Sequence, residues 1–427
     1  MATPPGVAAN GSAVSWIRRS GALRSADSPT QLRSATGVTV LLALGLTIVG
    51  WSAIGARTGA IDDAAEAAAQ LIRVQDVRVL VVQADSLASN AYLADGQEPA
   101  EQRTAYDDRI DQAAAGLVTA AGATGGNDSA ELQRANELLT TYVGLVEQAR
   151  ANNRQGFPVG AAYQRQARTV AQEIVASLRE VEQRTRSNVD DRVATSYRAS
   201  WPLVLVALVL LVALLLGSRW MARRFRRLVN VPLLVATLIV GMVLVVGLWV
   251  NARAAAEAGD AVTGPLSAAD LVAQARAAGF DARSNEALTL INRGNGAAYE
   301  LEWTRSMSVA TQALDSACDD FGVACDARRS LMAYATEHTG VRALDDGGDW
   351  EKSVEATTDP EGPLTKAFEA FASSSNDALT DRAATSASAF DDASAPLGTL
   401  RLLVALAGVA VALLAVSGYG QRLREYR

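Results

Sequence analysis

Four stretches of the chain contain no Asp, Glu, Lys or Arg, and they constrain the fold more than any other feature. These charge-free windows are residues 34–56, 199–218, 228–252 and 402–421. A helix of about 20 residues crosses the roughly 30 Å hydrocarbon core of a bilayer. The sequence therefore predicts an all-α membrane protein with four transmembrane helices, and it excludes an ordinary soluble globule.

The charge balance of the segments between the windows predicts their orientation. Residues 1–33, 219–227 and 422–427 carry net charges of +3, +5 and +2, whereas 57–198 and 253–401 carry −5 and −12. Lys and Arg accumulate in short cytoplasmic loops. We therefore expect a multi-pass protein of the cell membrane, with both termini and the middle loop in the cytoplasm. The two long segments are then extracytoplasmic.

The first 33 residues are rich in Ser, Ala, Gly and Pro, which predicts a disordered cytoplasmic N-terminus. An alternative is that the first window is a cleaved signal peptide, because the small residues at 53–56 resemble a cleavage site. Against this, the apolar run is longer than a usual signal core and begins only after 33 residues.

The two halves of the chain resemble each other when one is shifted by 198 residues. The shift aligns Trp51 with Trp249 and Asp62 with Asp260, and it aligns the run 205–208 with 403–406. The pattern predicts a tandem repeat in which each copy has a helix out, an external domain and a helix back. Coincidence is the alternative, because matches between Ala and Leu are common in this composition.

Clusters of helix-breaking residues divide each long segment into four helices. In the first segment the predicted helices are 57–94, 100–121, 129–153 and 161–198. Apolar residues three and four apart, from Val74 to Ala91, form a seam that favours a left-handed bundle. We therefore predict two extracytoplasmic four-helix bundles, at 57–198 and 253–401, whose outer helices continue unbroken into the membrane spans.

Both cysteines of the chain, Cys318 and Cys325, flank one predicted turn between helices. This position favours a disulfide in an oxidising compartment. Two free thiols or a partial metal site are the alternatives, but two ligands without a nearby histidine make an incomplete site. We therefore expect no metal site.

The sequence contains no recognisable catalytic constellation. Its one histidine, His338, has no nucleophile or carboxylate partner at helical spacing, and we expect it to be a surface or interhelical residue. We therefore predict that the chain is not an enzyme and binds no cofactor.

An acidic cluster surrounds Trp350 and consists of Asp345, Asp346, Asp349 and Glu351. The order of these residues is not that of a calcium-binding loop. A solvated loop is the simplest interpretation. The alternative is a contact surface for an extracytoplasmic protein partner, with Trp350 as its anchor.

Four arginines on the predicted first helices are weak candidates for ligand binding: Arg73, Arg78, Arg276 and Arg283. A guanidinium group can bind a carboxylate through two parallel hydrogen bonds. Exposed arginines without a ligand are nevertheless common on helices, so both interpretations stay open.

The predicted cytoplasmic loop has five arginines: Arg219, Arg223, Arg224, Arg226 and Arg227. Membrane topology and contact with anionic lipid headgroups explain them sufficiently. Docking of a cytoplasmic effector is an additional interpretation. We expect membrane lipids as partners and no nucleic acid.

From about residue 35 to 427, the chain resembles the actinobacterial GlnX-like four-pass membrane signalling proteins. The resemblance rests on the four spans, the paired helical domains, the short arginine-rich loop and the Ala- and Arg-rich composition. It implies that a signal passes from an extracytoplasmic amino-acid-binding lipoprotein to the soluble Ser/Thr kinase PknG. It assigns no ligand residue, because no diagnostic motif is present.

We therefore expect a signal-transducing sensor whose output requires a separate cytoplasmic protein, because a nine-residue loop cannot contain an output domain. The alternative is a structural or scaffolding protein of the cell envelope. A transporter fits less well, because the spans contain no charged residue to mark a polar pathway. The ligand, direct or indirect sensing, and homodimerisation stay open.

Overall fold

The computed structural model describes residues 28–94, 98–225 and 230–423. Residues 28–33, which the sequence predicts to be disordered, are helical, because the helix of the first span extends back to Ser28. The rest of the predicted disordered N-terminus lies outside the described residues. Every regular element in the described ranges is helical, so the prediction of an all-α protein is confirmed. The helices are α1 (Ser28–Leu93), α2 (Ala100–Ala123), α3 (Gly126–Arg154), α4 (Val159–Arg198), α5 (Trp201–Phe225), α6 (Val231–Ala261), α7 (Ser267–Ile291), α8 (Ala297–Phe321), α9 (Cys325–Asp346), α10 (Trp350–Thr358) and α11 (Pro363–Leu423). A π-helical turn, Val262–Leu266, joins α6 to α7.

The chain divides into two compact units. Within the described ranges, the span unit contains residues 28–59, 196–225, 230–254 and 395–423, and the described parts of all four charge-free windows lie in it. The polar unit contains residues 60–195 and 255–394. Four helical stretches are long and apolar enough to cross a membrane, as the sequence predicts.

Large apolar side chains cover the outside of the span unit. Leu41 is 70% exposed, Leu413 is 68% exposed and Leu238 is 64% exposed. A soluble protein rarely exposes so much contiguous apolar surface, whereas lipid tails favour it. This surface is therefore consistent with a membrane protein.

Arg57 is buried within the described part of the span unit, and both of its terminal nitrogens, Nη1 and Nη2, donate hydrogen bonds. Arg57 donates to the Ser200 hydroxyl at 2.6 Å and to the Asn251 carbonyl at 2.7 Å. The Ser200 hydroxyl in turn donates to the Asn251 side-chain oxygen at 2.8 Å. A buried cation requires polar partners. These hydrogen bonds supply them, and they link α1 to the start of α5 and to α6.

Two of the four outer helices continue through their spans without a break, as predicted. The helices α1 and α11 have 66 and 61 residues. The other two differ from the prediction, because a turn at residues 199–200 separates α4 from α5 and the π-helical turn separates α6 from α7. Pro202 and Pro265 explain the two interruptions, since proline has no N–H to donate to the preceding turn.

The helix ends of the first segment agree with the prediction within three residues. The largest difference is at α3, which begins at Gly126 rather than at residue 129. Glycine and proline clusters locate these ends, because few other residues terminate a helix as strongly.

The two long segments pack together in the single polar unit, whereas the sequence predicts one bundle from each. Residues 74–91 of α1 are buried on nearly all sides, and so is most of α7. Gln75 donates to Asp270 at 2.5 Å, and the hydroxyls of Ser89 and Ser284 lie 3.1 Å apart. Both pairs are separated by 195 residues, so α1 and α7 lie side by side in the same direction. The tandem repeat itself stays a prediction.

Within the described ranges, the polar unit has one large apolar core in each segment and a smaller apolar cluster in the second. The first core is formed by α1 to α4 and receives Ala277 and Phe280 from α7. The second is formed by α7 to α11 and receives Leu93 from α1. The exchange of side chains between the cores explains why the segments form one unit.

Candidate functional site

A buried ionic cluster joins the two long segments. Arg168 of α4 donates to Asp85 of α1 at 2.7 Å and to Asp281 of α7 at 2.5 Å. The hydroxyl of Ser284 donates to Asp85 at 2.6 Å, and that of Ser306 donates to Asp281 at 2.5 Å. Asp85 is completely buried. Because buried charges require partners, this cluster ties α1 and α4 to α7.

The charges of this cluster stabilise one another. Burial alone would lower the pKa of Arg168, but Asp281 and Asp85 raise it above its ordinary value. Burial alone would raise the pKa of Asp281, but Arg168 and the Ser306 hydroxyl hold it below its ordinary value. Both groups therefore stay charged at neutral pH.

A cleft of about 370 Å³ lies between helices of the first segment and helices of the second. Four helices, α1, α2, α7 and α11, contribute to it, and we call it the arginine cleft. Its lining consists of Ile72, Asp76, Val79, Leu80, Gln83, Arg109, Gln112, Arg276, Asn376, Leu379, Thr380 and Ala383. Seven of these twelve residues are polar or charged, and the other five form an apolar wall.

Arg276 is held in the cleft by one of its three nitrogens. Its Nη1 donates to the Ala372 carbonyl at 2.5 Å and to the Ser375 hydroxyl at 2.9 Å. Its Nε is buried and has no hydrogen-bond partner among the described residues. Burial lowers the pKa of Arg276 to about 10, although the charge of Asp76 partly opposes this effect. The side chain is only 5% exposed, and it forms part of the lining of the cleft.

Two other polar side chains in the cleft have no hydrogen bond or ion pair within the described ranges. Asp76 is reached by solvent, but partial burial in the cleft raises its pKa, with Arg276 opposing the rise. Gln83 is only 7% exposed. The carboxylate of Asp76, the amide of Gln83 and the guanidinium of Arg276 therefore line the same cleft without hydrogen bonds or ion pairs to one another.

The other three predicted ligand arginines have partners within the protein. Arg78 forms an ion pair with Glu182 at 2.7 Å. Arg283 pairs with Glu286, and Arg73 donates to a glutamine one turn earlier in α1. None of these three lines the arginine cleft. Of the four predicted candidates, Arg276 is the one that lines the arginine cleft.

His338 is interhelical, as expected, but it has carboxylate partners that the sequence pattern does not indicate. It is 1% exposed, and its Nδ1 lies 2.6 Å from Glu286 and its Nε2 3.1 Å from Glu300. Its ring stacks on Trp303 with centroids 3.7 Å apart. Glu286 belongs to α7 and Glu300 to α8, so spacing within α9 cannot identify them.

The environment of His338 favours its charged form. Burial alone would lower its pKa, but Glu286 and Glu300 raise it above the ordinary value. Burial alone would raise the pKa of Glu286, whereas Arg283 and His338 lower it. These groups form a second buried ionic cluster, which lies wholly within the second segment.

The predicted acidic cluster is largely neutralised by cations of the same chain. Arg342 binds Asp345 at 2.6 Å and Asp346 at 2.5 Å, and Lys352 binds Asp349 at 3.0 Å. These contacts agree with a solvated loop more closely than with a cation site.

Trp350 is half-buried against its own unit. Its Nε1 donates to the Leu290 carbonyl at 2.9 Å, and the guanidinium of Arg293 lies over its ring. The neighbouring Glu351 is exposed. Trp350 thus fixes α10 to α7, and only part of its ring is accessible to a partner.

Cys318 and Cys325 lie at disulfide distance, with Sγ atoms 2.01 Å apart, between α8 and α9. The turn that they enclose contains Gly322 and Ala324 with φ values of 66° and 58°. Across the described part of the chain, no three His, Cys, Asp or Glu side chains are grouped in a way that could hold a metal ion.

Only part of the predicted arginine-rich loop is described. Arg219 and Arg223 are exposed on α5, and Arg224 belongs to the last turn of this helix. Arg226 and Arg227 lie outside the described residues.

The comparisons with known proteins give one match. Residues 60–194 match the family model described as an actinobacterial sensor domain. This range coincides with the part of the polar unit that the first segment supplies, residues 60–195. No curated protein and no solved structure matches the chain. The family match supports an actinobacterial sensor protein, and the four membrane-capable helices are consistent with a membrane location.

Proposed function

We propose that this chain is a transmembrane sensor that receives an extracytoplasmic nutrient signal and passes it to a separate cytoplasmic effector. The observation that carries the proposal is the sensor-domain match over residues 60–194. The resemblance to GlnX-like proteins adds the identity of the signal, an amino acid presented by a binding lipoprotein. It also adds the class of effector, a Ser/Thr kinase such as PknG.

The charge distribution supports the orientation of this sensor. The long segments are acidic, whereas residues 1–33 and 219–227 are basic. In this proposal the polar unit faces outward, and both termini and the loop that follows α5 face the cytoplasm.

Two features of the fold support the relay of a signal. The helices α1 and α11 continue from the span unit into the polar unit without a break. Within the polar unit, the Arg168 cluster links the first segment to the second. A rearrangement of α1 against α7 therefore has a continuous helical path toward the cytoplasm.

The proposed output is contact of the cytoplasmic effector with the loop arginines. Arg219 and Arg223 are exposed and cationic. Substituting glutamine for both should reduce phosphorylation of the effector's targets, while insertion into the membrane stays unchanged. Normal phosphorylation in a correctly inserted variant would remove the docking surface from the proposal.

Cysteine crosslinking in membranes tests the sensor directly. A side-chain carbon at Gly45 of α1 would lie 4.0 Å from Val206 of α5, so Gly45→Cys with Val206→Cys forms a reporter pair. The native cysteines are replaced by serine. We expect the crosslinking rate to change when the standard amino acids, with or without the binding lipoprotein, are added, but not with a sugar of similar size. An unchanged rate would favour the scaffold instead.

A further inference from the structure

We propose that the arginine cleft binds a small zwitterion with one carboxylate and one ammonium group, the chemistry of a free α-amino acid. This inference rests on the proposed function and deepens it, because it assigns direct recognition to this chain as well as to any binding protein.

The carboxylate site is the free edge of Arg276. Its Nη1 already donates to the Ala372 carbonyl and to the Ser375 hydroxyl, and these two hydrogen bonds fix the plane of the guanidinium. The Nε and Nη2 atoms have no hydrogen-bond partner in the described part of the protein, and Nε is fully buried. Nη2 can therefore donate a charge-assisted hydrogen bond to a ligand carboxylate, while the buried Nε adds to the unpaired positive charge.

The ammonium site is the carboxylate of Asp76. It lines the same cleft as Arg276 and feels the positive charge of Arg276, yet the two side chains form no ion pair. An ammonium group beside Asp76 and a carboxylate on Arg276 would satisfy both charges at once. Gln83, which is buried and without a hydrogen-bond partner within the described ranges, can donate to or accept from the same ligand.

The charges of the cleft disfavour the simpler ligand classes. A metal cation would face the positive charges of Arg276 and Arg109. A ligand with only carboxylates would leave Asp76 unpaired or would place a second negative charge beside it. A zwitterion avoids both penalties.

The size and position of the cleft fit this ligand class. A volume of about 370 Å³ lies at the lower end of the range for small-molecule sites. Ile72, Leu80 and Leu379 provide an apolar wall for the rest of the ligand. Because α1 and α2 belong to the first segment and α7 and α11 to the second, a bound ligand would contact both and could change their packing.

Calorimetric titration of the full-length chain in lipid nanodiscs tests the inference. Each standard α-amino acid is titrated, and one that binds is compared with its 2-hydroxy acid and its carboxamide. Replacing either charged group should weaken binding by about tenfold or more, because a charge-assisted hydrogen bond is lost. If no amino acid binds, or if these singly charged analogues bind equally well, the inference is wrong.

Three variants locate the site. Arg276→Lys keeps the charge but removes the Nη2 donor, and Asp76→Asn removes the partner of the ammonium group. Each should weaken binding about tenfold or more, and Asp76→Asn should also reduce the preference for the amino acid over its hydroxy acid. Arg73→Lys is the matched control, because Arg73 lies on α1 but outside the cleft, and its affinity should equal that of the wild type.

The outcomes separate the inference from the proposed function. If Arg276→Lys fails to fold, Asp76→Asn still tests the site. Asp76 has no hydrogen bond or ion pair within the described residues, so this substitution removes no such contact. Wild-type affinity in the Asp76 variant would overturn the zwitterion site. A crosslinking response that needs the lipoprotein, without direct binding of amino acid, would retain the sensor and remove the site. Binding without a crosslinking response would retain the site and remove the sensor.

Discussion

Arg168 lies between two carboxylates from different segments and forms the ion pairs of their junction. Asp85 is completely buried and has Arg168 as its cationic partner. Asp281 has the same partner from the other side. Removing Arg168 would leave the buried Asp85 without its cationic partner and Asp281 with only the charge of Arg179, which is more costly than removing a whole ion pair.

We predict that Arg168→Met lowers the free energy of unfolding by about 3–5 kcal/mol, because it strands a buried charge. The control is Arg192→Met, which removes a pair with Asp63 at 2.6 Å whose side chains are about half exposed. That variant should cost at most about 1 kcal/mol. Denaturant unfolding in detergent measures both, and equal losses would contradict the role of Arg168.

A second residue-scale prediction concerns pH. The pKa of His338 is raised in the folded protein by Glu286 and Glu300. Its stabilisation is therefore complete below the ordinary histidine pKa of about 6.5 and is lost as pH rises through the raised value. The advantage of the wild type over His338→Gln in unfolding temperature should shrink across this interval. A gap that widens toward alkaline pH would contradict the assigned direction.

At this scale, the sequence predicts residue types better than contacts. It identifies Arg276 as a ligand candidate, but it ranks Arg73, Arg78 and Arg283 equally, since all four are arginines on first helices. Glu286 follows Arg283 by three residues in α7, so helical spacing alone could indicate that pair. What separates Arg78 from Arg276 is Glu182 on α4, and its position depends on helix packing. The carboxylates around His338 were missed for the same reason.

Among the helices, α7 and α11 make a close contact at a glycine. A side-chain carbon at Gly279 would collide with the ring of Phe371, which is completely buried. Gly340 of α9, in contrast, is exposed, and a carbon there would meet nothing within 4 Å. The same substitution therefore has opposite consequences on two helices of one unit.

We predict that Gly279→Ala destabilises the protein by about 1–3 kcal/mol, because it overpacks this contact. Gly340→Ala should stabilise it by about 0.5–1 kcal/mol, because alanine loses less conformational freedom in a helix. Thermal unfolding of the two variants against wild type measures the difference. Two changes of the same sign would contradict the packing of α7 against α11.

The turn between α8 and α9 gives a further prediction. Replacing Cys318 and Cys325 by serine should lower the free energy of unfolding by about 2 kcal/mol, because a small loop constrains little chain entropy. A reducing agent should destabilise the wild type by a similar amount and leave the double variant unchanged. If the reductant destabilises both equally, the disulfide is not the cause.

The helices themselves were largely predictable, because breakers mark their ends. The apolar seam from Val74 to Ala91 predicts one buried face of α1, but the structure buries the opposite face as well. That part of the helix surface contains Gln75, Asp85 and Ser89. Because these residues are polar, the hydrophobic pattern predicts that they face solvent. Polar side chains that pair across α1 and α7 thus explain why the two segments, predicted as separate bundles, pack in one unit.

At the scale of the whole molecule, the charge-free windows predict the division into units. All four windows lie in the span unit, and both long segments supply the polar unit. The arginine cleft was not predictable, because its lining combines residues that are more than 300 positions apart, such as Ile72 and Ala383. A sensor that binds its signal there needs both segments on the same side of the membrane.

That placement is the central claim, and labelling with a membrane-impermeant thiol reagent tests it most directly. Single cysteines replace the exposed residues Ala115, Ala333 and Arg219 in a chain whose native cysteines are serine. In intact cells, we expect labelling at positions 115 and 333 and none at 219, with the reverse pattern in inverted vesicles. Labelling of 219 in intact cells, or protection of either of the other two, would contradict the account.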